Sequence, residues 1–539
     1  RVNLSQIPTV SHRSNMDKHA AQMWHNVHSN PQLAAGQLAA LATGITLALT
    51  VCYCIFNLFF HPLRRYPGPK LWAMTRIPYT LNIHAGRAPW RIRDLHAQYG
   101  PFVRLAPDII SISHPDALTQ LQGHRKGKPE NPKDPKLIWQ FKDNIVGSSR
   151  EDHTRLRRAM SHAFSAQATT GLLTFLMDGS VGATAAYQEI CRPPDSAAPR
   201  DCNQGQTSLD VTQWYNWTTF DIVGDLAFGE PFDCLDQANY HPWVAIIFES
   251  MVTMAKITTF LRFEYIGNLL SMLIIPRSLA QKMQQHKDLS TIKVDKRLAL
   301  DTERSDLIGK MITGSRKQDS EMSKDELVEN AAVLIIAGSE TTAALLCGAT
   351  YLLAKNPHAL ERLAQEVRNG FGSEDEIDLV STQRLKYMQA VLDESLRYFP
   401  PAVGSMPRKI APGGDYILDR YIPENTVVEV WQWTLHHNPA YFHKPDEFRP
   451  ERWLGGDEEF KNDSLAGVTP FSVGPRNCIG KNLAYSEMRL IMARIVWNFD
   501  FVLAPGMEDW YDRCKTYSIW EKPALGISFV PRPDKQGIS

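Results

Sequence analysis

One stretch near the N-terminus lacks the mixture of apolar and polar positions seen in the rest of the chain. Residues 33–60 contain no charged side chain, and this run exceeds the ~20 residues that a helix needs to cross a bilayer. We therefore predict a transmembrane anchor; a buried core helix and a signal peptide are the alternatives. The absence of a small-residue cleavage site argues against a signal peptide. The basic residues that follow predict that the C-terminal side faces the cytosol: His61, Arg64, Arg65 and Lys70.

A second apolar stretch predicts a long buried helix. Ser323 followed by Glu326 is a capping-box pattern, and apolar residues continue from there to Leu353. Asn356-Pro357 then ends the run, because proline cannot continue a helix. The middle of the stretch is apolar almost all round, so the helix should lie inside the core.

The segments after this helix predict smaller elements. Two helices are expected at 358–371 and 385–398, the second ended by Pro400-Pro401. Between Tyr416 and Trp433, β-branched and aromatic residues surround a Pro-Glu-Asn-Thr turn and predict a short hairpin. The predicted fold class is mainly α with a minor β component.

The chain is expected to have four parts. These are a tail (1–32), the anchor (33–60), a Pro/Gly linker (61–75) and one large domain (76–539). Residue 1 is arginine, so Met16 is a candidate start. Two Pro-rich segments, 126–136 and 191–208, are predicted to be surface loops of that domain.

Composition and charge exclude several classes of protein. The 58 basic and 58 acidic residues balance, so no overall field favours nucleic acid as a partner. Eight cysteines are scattered through the chain without a CxxC or zinc spacing, which argues against a disulfide framework or a zinc module. This usage is typical of a reducing compartment, in which one special cysteine can carry function.

Cys478 is the candidate for that role. It lies in the segment FSVGPRNCIG, between a glycine turn and an apolar helix predicted to begin near Lys481. The positive end of a helix and its free N–H groups favour the thiolate form of such a cysteine. Taken alone, Cys478 would more simply be a buried structural cysteine after a turn. Its role therefore depends on the whole sequence pattern around it.

This segment resembles the haem-binding loop of the cytochrome P450 family, whose pattern is Phe-x-x-Gly-x-Arg-x-Cys-x-Gly. The matching residues are Phe471, Gly474, Arg476, Cys478 and Gly480. The resemblance implies a single P450 fold, with a long central helix over haem b, in a haem-thiolate catalytic domain. It also implies that Cys478 is the axial ligand of the haem iron, that Phe471 and Gly480 belong to the cofactor site, and that Arg476 pairs with a haem propionate.

A Glu-x-x-Arg pair, Glu394 and Arg397, lies three positions apart on one predicted helix face. The family joins such a pair to a later arginine, which corresponds to Arg452 in FRPERW. A buried glutamate with two arginines fixes geometry more than it adds stability. The resemblance thus implies a structural triad behind the cysteine loop.

Inside the long helix, Ala337-Gly-Ser-Glu-Thr places an acid and an alcohol in an apolar stretch. A helix bend, with Thr341 bonded back to Ala337, is the structural interpretation. The family's pattern at this place implies catalytic roles for Glu340 and Thr341 in proton delivery to the oxygen-binding side of the haem.

Further propionate partners are implied upstream and downstream. His153 and Arg157 are four apart, where the family usually has Trp-x-x-x-Arg, so the sequence departs from the pattern at His153. Arg408 corresponds to an arginine after the Glu-x-x-Arg helix, with an exposed loop arginine as the alternative.

The resemblance implies a monooxygenase that inserts one oxygen atom of O2 into an apolar small molecule. Within the family, the chain is similar to fungal microsomal enzymes of secondary metabolism, of the isotrichodermin and averantin hydroxylase type. Anchored members receive electrons from NADPH through the FAD and FMN of a separate NADPH–cytochrome P450 reductase, in some cases with cytochrome b5. This implies a single-pass protein of the endoplasmic reticulum membrane, with contact to lipid and a cytosolic catalytic domain. Basic residues could form the reductase-docking face: Arg157, Arg158, Lys444, Lys481 and Arg489.

Two other functions stay open at this point. One is a haem-thiolate isomerase or dehydratase that needs no reductase; such enzymes tend to lack the acid–alcohol pair. The other is a non-catalytic haem or sterol carrier. Family architecture implies a substrate pocket lined by five segments: Trp139–Ser148, Phe248–Leu273, Val333–Ala337, Ala402–Met406 and Tyr517–Trp520.

Overall fold

The computed structural model describes most of the chain from residue 31 to residue 532. The gaps are residues 126, 139–140, 142, 162, 165–207, 240–241, 264–265, 268, 270–276, 300–305, 318–321, 405 and 518. The predicted tail up to residue 30, nearly all of the predicted loop 191–208 and parts of the predicted pocket, including Trp139, therefore lie outside the described residues.

The described part is mainly helical, as the sequence predicts. Its α-helices are α1 (Pro31–Phe59), α2 (Lys70–Met74), α3 (Ile77–His84), α4 (Ala88–Tyr99), α5 (Ala117–Gln122), α6 (Pro135–Ile138), α7 (Arg150–Ser161), α8 (Val211–Phe228), α9 (Cys234–Gln237), α10 (Pro242–Leu261), α11 (Arg277–Ala299), α12 (Leu307–Lys317), α13 (Lys324–Lys355), α14 (Pro357–Gly370), α15 (Lys386–Tyr398), α16 (Gln432–His436), α17 (Lys481–Asn498) and α18 (Trp510–Arg513).

The strands form small sheets at the edges of the helical body. They are β1 (Phe102–Ala106), β2 (Ile109–Ile112), β3 (Ser208–Asp210), β4 (Arg408–Lys409), β5 (Asp415–Ile417), β6 (Arg420–Ile422), β7 (Val427–Glu429), β8 (Phe499–Leu503), β9 (Lys515–Tyr517), β10 (Ile519–Glu521) and β11 (Gly526–Pro531). Strand order is β1-β2-β7-β4 in one sheet and β3-β11-β8 in another, with the hairpins β5–β6 and β9–β10 beside them.

The predicted hairpin between Tyr416 and Trp433 is only partly right. The observed hairpin is β5–β6, and its turn is Leu418-Asp419, both with positive φ, as a two-residue hairpin turn of type I′ requires. The Pro-Glu-Asn-Thr segment instead leads into β7, which pairs in parallel with β2. A leucine in the left-handed region is uncommon, so this turn lacks the residues that typically signal one.

Helix α13 lies in the centre of the main core. Its capping box is present: Glu326 N–H donates to Ser323 Oγ, and Ser323 N–H donates to Glu326 Oε2. The apolar side chains of α13 pack against α8, α11 and α15. The length and apolar character of α13 alone would allow a membrane span, but most of the helix is buried inside the protein. The prediction of a buried helix is therefore confirmed.

Helix α1 has the opposite environment. Residues 35–59 form a candidate membrane span that is apolar and unburied. At its C-terminal end, however, Asn57 is buried. Its Nδ2 donates to Met74 O at 3.0 Å, and Arg104 Nη1 donates to Asn57 O at 2.9 Å. The predicted linker 61–75 packs onto the domain through buried Leu63 and Trp72. The candidate span is thus joined to the helical body by folded structure.

Candidate active site around Cys478

The cysteine loop is a tight turn held by its own backbone. Cys478 N–H donates to Phe471 O at 2.8 Å, and Asn477 N–H donates to Gly474 O at 3.1 Å. Gly474 has a φ of +77°, and a Cβ placed on it would lie 2.2 Å from the carbonyl oxygen of Gln122. Only glycine fits this position, for both conformational and steric reasons. The loop therefore fixes where the chain delivers Cys478 to the start of α17.

The pKa of the Cys478 thiol is raised overall, although groups around it oppose the rise and favour the thiolate. Burial raises the pKa of the Cys478 thiol, whereas the Gly480 N–H and the cations of Arg157 and Lys481 lower it. Arg157 Nη2 donates to Asn477 Oδ1 at 2.7 Å, and Arg157 Nη1 donates to Asn477 O. Arg157 thereby holds Asn477, the residue that precedes Cys478, through two hydrogen bonds. The thiol itself is accessible, as a metal ligand has to be.

Phe471 supports the same loop from the other side. Its ring lies 5.2 Å from the ring of Tyr485 on α17, and Lys481 Nζ lies 5.7 Å from its centroid. A cation over an aromatic face is attracted by the ring quadrupole. Phe471 therefore ties the beginning of the loop to the helix that follows Cys478.

A cluster of basic side chains lies beside the loop. It consists of His153, Arg157, Arg408 and Arg476, together with Lys133. Only Lys133 was not among the residues predicted from the sequence. Burial and the neighbouring cations lower the pKa of Lys133 to about 7 and that of His153 to about 3. Glu130 is the carboxylate that meets this cluster, at 2.6 Å from Arg476 Nε and 3.2 Å from Arg408 Nη1. Arg408 is buried, so the exposed-loop alternative for this residue is wrong.

These residues fit a haem group. The three arginines of the cluster carry more positive charge than Glu130 neutralises, and such an excess in a partly buried place suits the two propionates of haem. A Cβ on Gly480 would meet nothing closer than Phe164 Cε1 at 3.8 Å, so there is space beside the loop. Among the described residues, no group of three or more His, Cys, Asp or Glu side chains could hold a bare metal ion. One thiolate among basic side chains is instead the donor set of a haem-thiolate site.

Thr341 lies on a partly open face of α13. Its Oγ1 donates to Ala337 O at 2.6 Å, which is the back-bond expected for a helix bend. Ala337 is exposed and Thr341 is half-buried in a helix that is otherwise mostly covered. Helix α8 packs closely against Gly338, since a Cβ there would lie 2.8 Å from Val223 Cγ2. The opening on this face is therefore at Ala337 and Thr341 rather than at Gly338.

Glu340 points into the protein. It is buried and forms an ion pair with Lys522. Its Oε2 has no hydrogen-bond partner among the described residues. Burial raises the pKa of Glu340, and Lys522 opposes that rise. The neighbour Thr342 donates to Glu487 Oε2 at 3.2 Å and so links α13 to α17.

The predicted triad is assembled in the structure. Arg397 donates to both oxygens of Glu394, Nε to Oε2 at 2.9 Å and Nη2 to Oε1 at 2.8 Å. Arg452 Nε lies 3.3 Å from Glu394 Oε2. Arg452 also pairs with Asp463, a residue that the sequence argument did not find. Asp463 lies on the segment that leads into the cysteine loop, so the triad is connected to that loop.

The fold and the site together define a class, the haem-thiolate proteins. A comparison with family models agrees, since the cytochrome P450 model matches residues 67–526. The chain therefore belongs to the cytochrome P450 family and is a haem-dependent monooxygenase.

Similar proteins come from fungi. Trichothecene C-15 hydroxylase of Fusarium sporotrichioides is 46% identical over 503 residues, which cover 93% of this chain and 100% of that protein. Averantin hydroxylase of Dothistroma septosporum is 40% identical over 504 residues, which cover 92% of each chain. The solved heme domain of cytochrome P450DA superposes with a TM-score of 0.71 at 20% identity, covering 87% of this chain and 98% of that one. The last likeness concerns the fold alone.

Proposed function

We propose that this chain uses electrons from NADPH to insert one oxygen atom of O2 into an apolar secondary metabolite, by hydroxylation, epoxidation or oxidative desaturation. The observation that carries the proposal is the exposed residue Cys478 beside a partly buried basic cluster. A haem b bound there would supply the iron at which O2 is reduced. Cys478 would bind that iron through its sulfur, and His153, Arg157, Arg408 and Arg476, with Lys133, would hold the haem carboxylates.

Proton delivery is assigned to Glu340 and Thr341. The Thr341 hydroxyl can exchange its bond to Ala337 O for a bond to a water molecule on the open helix face. Glu340, one residue earlier, keeps an unpartnered oxygen that can accept and release a proton. General acid–base groups of this kind contribute ~10²–10⁴-fold to a rate. A Thr341→Ala variant should therefore lose at least about tenfold in product formed per NADPH consumed, with excess hydrogen peroxide.

Electrons would come from a separate NADPH–cytochrome P450 reductase, with cytochrome b5 as a possible second donor. The exposed side chains of Arg158 and Lys481 suit an acidic partner near the cysteine loop. Lys444 already pairs with Glu459 at 2.6 Å, and Arg489 donates to Gln389, so these two contribute less to docking. Charge reversal at Arg158 should slow reduction by the reductase at low salt, whereas reversal at Lys444 should have a smaller effect.

The substrate class follows from the named relatives. Trichothecene and averantin appear in their names, so both compounds are the first probes for this chain. Binding should appear as a low-to-high spin shift of the haem Soret band, and NADPH-dependent turnover should give a product heavier by one oxygen atom. Turnover of a hydroperoxide without reductase would instead favour the isomerase or dehydratase, and binding without turnover would favour the carrier.

We place the protein in the endoplasmic reticulum membrane with its domain in the cytosol. The unburied span at 35–59 and the basic residues after it support this orientation. Protease added to intact microsomes should digest the domain. Protection of the domain would contradict the orientation.

A further inference from the structure

Lys522 makes a buried ion pair that no motif in the sequence indicates. Its side chain is 3% exposed and that of Glu340 is 2% exposed, and Nζ bonds to Glu340 Oε1. The two residues are 182 positions apart. Because a buried charge is expensive unless it is paired, each of these groups depends on the other. The pair therefore joins the central helix to the C-terminal part of the chain.

The backbone on both sides of Lys522 is fixed. Just before it, Trp520 donates from Nε1 to Pro400 O at 2.7 Å and stacks on Phe399 with ring centroids 4.1 Å apart. Just after it, Pro523 O accepts hydrogen bonds from Thr212 Oγ1 at 3.1 Å and from Trp510 Nε1 at 2.9 Å. Lys522 is therefore a cation in a set place rather than a mobile surface lysine.

The pair leaves one oxygen of Glu340 unused. Oε1 is held by Lys522, while the buried Oε2 has no hydrogen-bond partner among the residues that the structure describes. A buried oxygen without a partner is unfavourable, and accepting a proton relieves that cost. An oxygen that must accept and release a proton has to be left available.

We propose that Lys522 is a positioning residue for proton delivery: it fixes Glu340 through Oε1 and keeps Oε2 free for the proton that moves toward Thr341. This inference rests on the proposed function. Lys522 directly follows the β9–β10 hairpin, where Ile519 bridges to Ala402. Ile519 and Ala402 belong to predicted substrate-pocket segments, so a bound substrate that displaced this hairpin would also displace Lys522.

The test compares Lys522→Met and Lys522→Arg with a matched control on the same hairpin. Lys515 faces Glu521 at 3.9 Å with about half of each side chain exposed, so Lys515→Met removes a lysine without touching Glu340. Each variant is made as the haem-loaded protein, and each must keep the thiolate-type carbonyl spectrum. The turnover probe is the trichothecene or averantin that the unchanged protein converts.

The first measurement does not depend on activity. An infrared titration follows the protonated carboxyl band of Glu340, assigned by its loss in Glu340→Gln. Without the lysine, the buried carboxylate loses its cation, so its midpoint should move to higher pH in Lys522→Met and stay unchanged in Lys515→Met. Cys347 interacts electrostatically with both members of this pair and Cys514 with Lys522, and none of the variants alters these two cysteines. An unchanged midpoint in Lys522→Met would overturn the proposal.

The second measurement is the product formed per NADPH consumed. Lys522→Met should lose at least about tenfold, Lys522→Arg should recover most of it, and Lys522→Met/Glu340→Gln should match Glu340→Gln alone because both changes act through one carboxylate. If Glu340→Gln loses coupling but Lys522→Met does not, only the role of Lys522 is refuted. If Glu340→Gln keeps full coupling, proton delivery by Glu340 fails, and the role of Lys522 fails with it.

Discussion

Replacing Glu394 by glutamine tests how much the triad stabilises the protein. Both side chains of the Glu394–Arg397 pair are 0% exposed. Glutamine keeps one oxygen acceptor but removes the negative charge. Besides that glutamine oxygen, Arg397 would keep only backbone carbonyl oxygens as partners: those of His436 and Pro445 at 2.8 Å and that of Glu447 at 3.1 Å. Arg452 would keep Asp463 as its counter-ion. One buried positive charge would be left uncompensated.

Breaking a buried pair from one side costs about 3–5 kcal/mol, whereas a folded domain is stable by only about 5–15 kcal/mol. Glu394→Gln should therefore lose a large part of its stability. The matched control is Glu447→Gln, because Glu447 pairs with Arg449 at 2.7 Å with both side chains nearly half exposed, and such a pair contributes at most about 1 kcal/mol.

The assay is loss of the haem Soret band with rising urea, together with the fraction of protein that shows the thiolate-type carbonyl spectrum. Glu394→Gln should lose the band at clearly lower urea than Glu447→Gln. It should also contain a larger fraction without the thiolate, since Asp463 connects the triad to the cysteine loop. Equal urea midpoints for the two variants would refute the reasoning.

Three further predictions concern the cysteine loop and the helix behind it. Cys478→Ser should abolish the thiolate-type carbonyl spectrum, and its survival would show that another residue binds the iron. Gly474→Ala should prevent haem incorporation, measured as absorbance per protein, because its Cβ would lie 2.2 Å from Gln122 O at a φ of +77°; a normal haem content would contradict the required conformation. Burial raises the pKa of Glu487 from 4.5 to about 8. Between these two pH values the folded protein keeps a proton on Glu487 that the unfolded chain loses, so the contribution of Glu487 to stability falls as the pH rises from about 4.5 to 8. Glu487→Gln should therefore gain stability relative to the unchanged protein between pH 5 and pH 9 in urea unfolding, and a constant difference would disprove the raised pKa.

Local signals in the sequence were sufficient for much of the fold. The capping box of Ser323 and Glu326 and the glycine turn before Cys478 depend on neighbours a few positions away, so their geometry follows from the residues themselves. The spacing of Glu394 and Arg397 places them on one helix face, but only the family resemblance implied that they form a buried triad with Arg452. Each of these features is present in the structure.

Contacts between distant positions could not be predicted in the same way. Asp463, Lys133 and Lys522 are single charged residues without a motif, and only the tertiary structure brings them to Arg452, the basic cluster and Glu340. The position of Val223 against Gly338 is of the same kind. One weak signal existed for Glu487: it is the single acidic residue of α17, and this could have marked a buried carboxyl.

The junction at Asn57 determines how the anchor can be removed for work in solution. A chain cut after Phe60 would lose two hydrogen bonds: the one that Asn57 Nδ2 donates to Met74 O, and the one that Arg104 Nη1 donates to Asn57 O. Each buried group left without a partner costs ~1–3 kcal/mol. Arg104 and Met74 both remain in the shortened protein, so it would carry this defect wherever it was expressed. A shortened form that keeps the last turn of the anchor helix should yield more folded protein than one that begins at His61, even though it is the more apolar of the two.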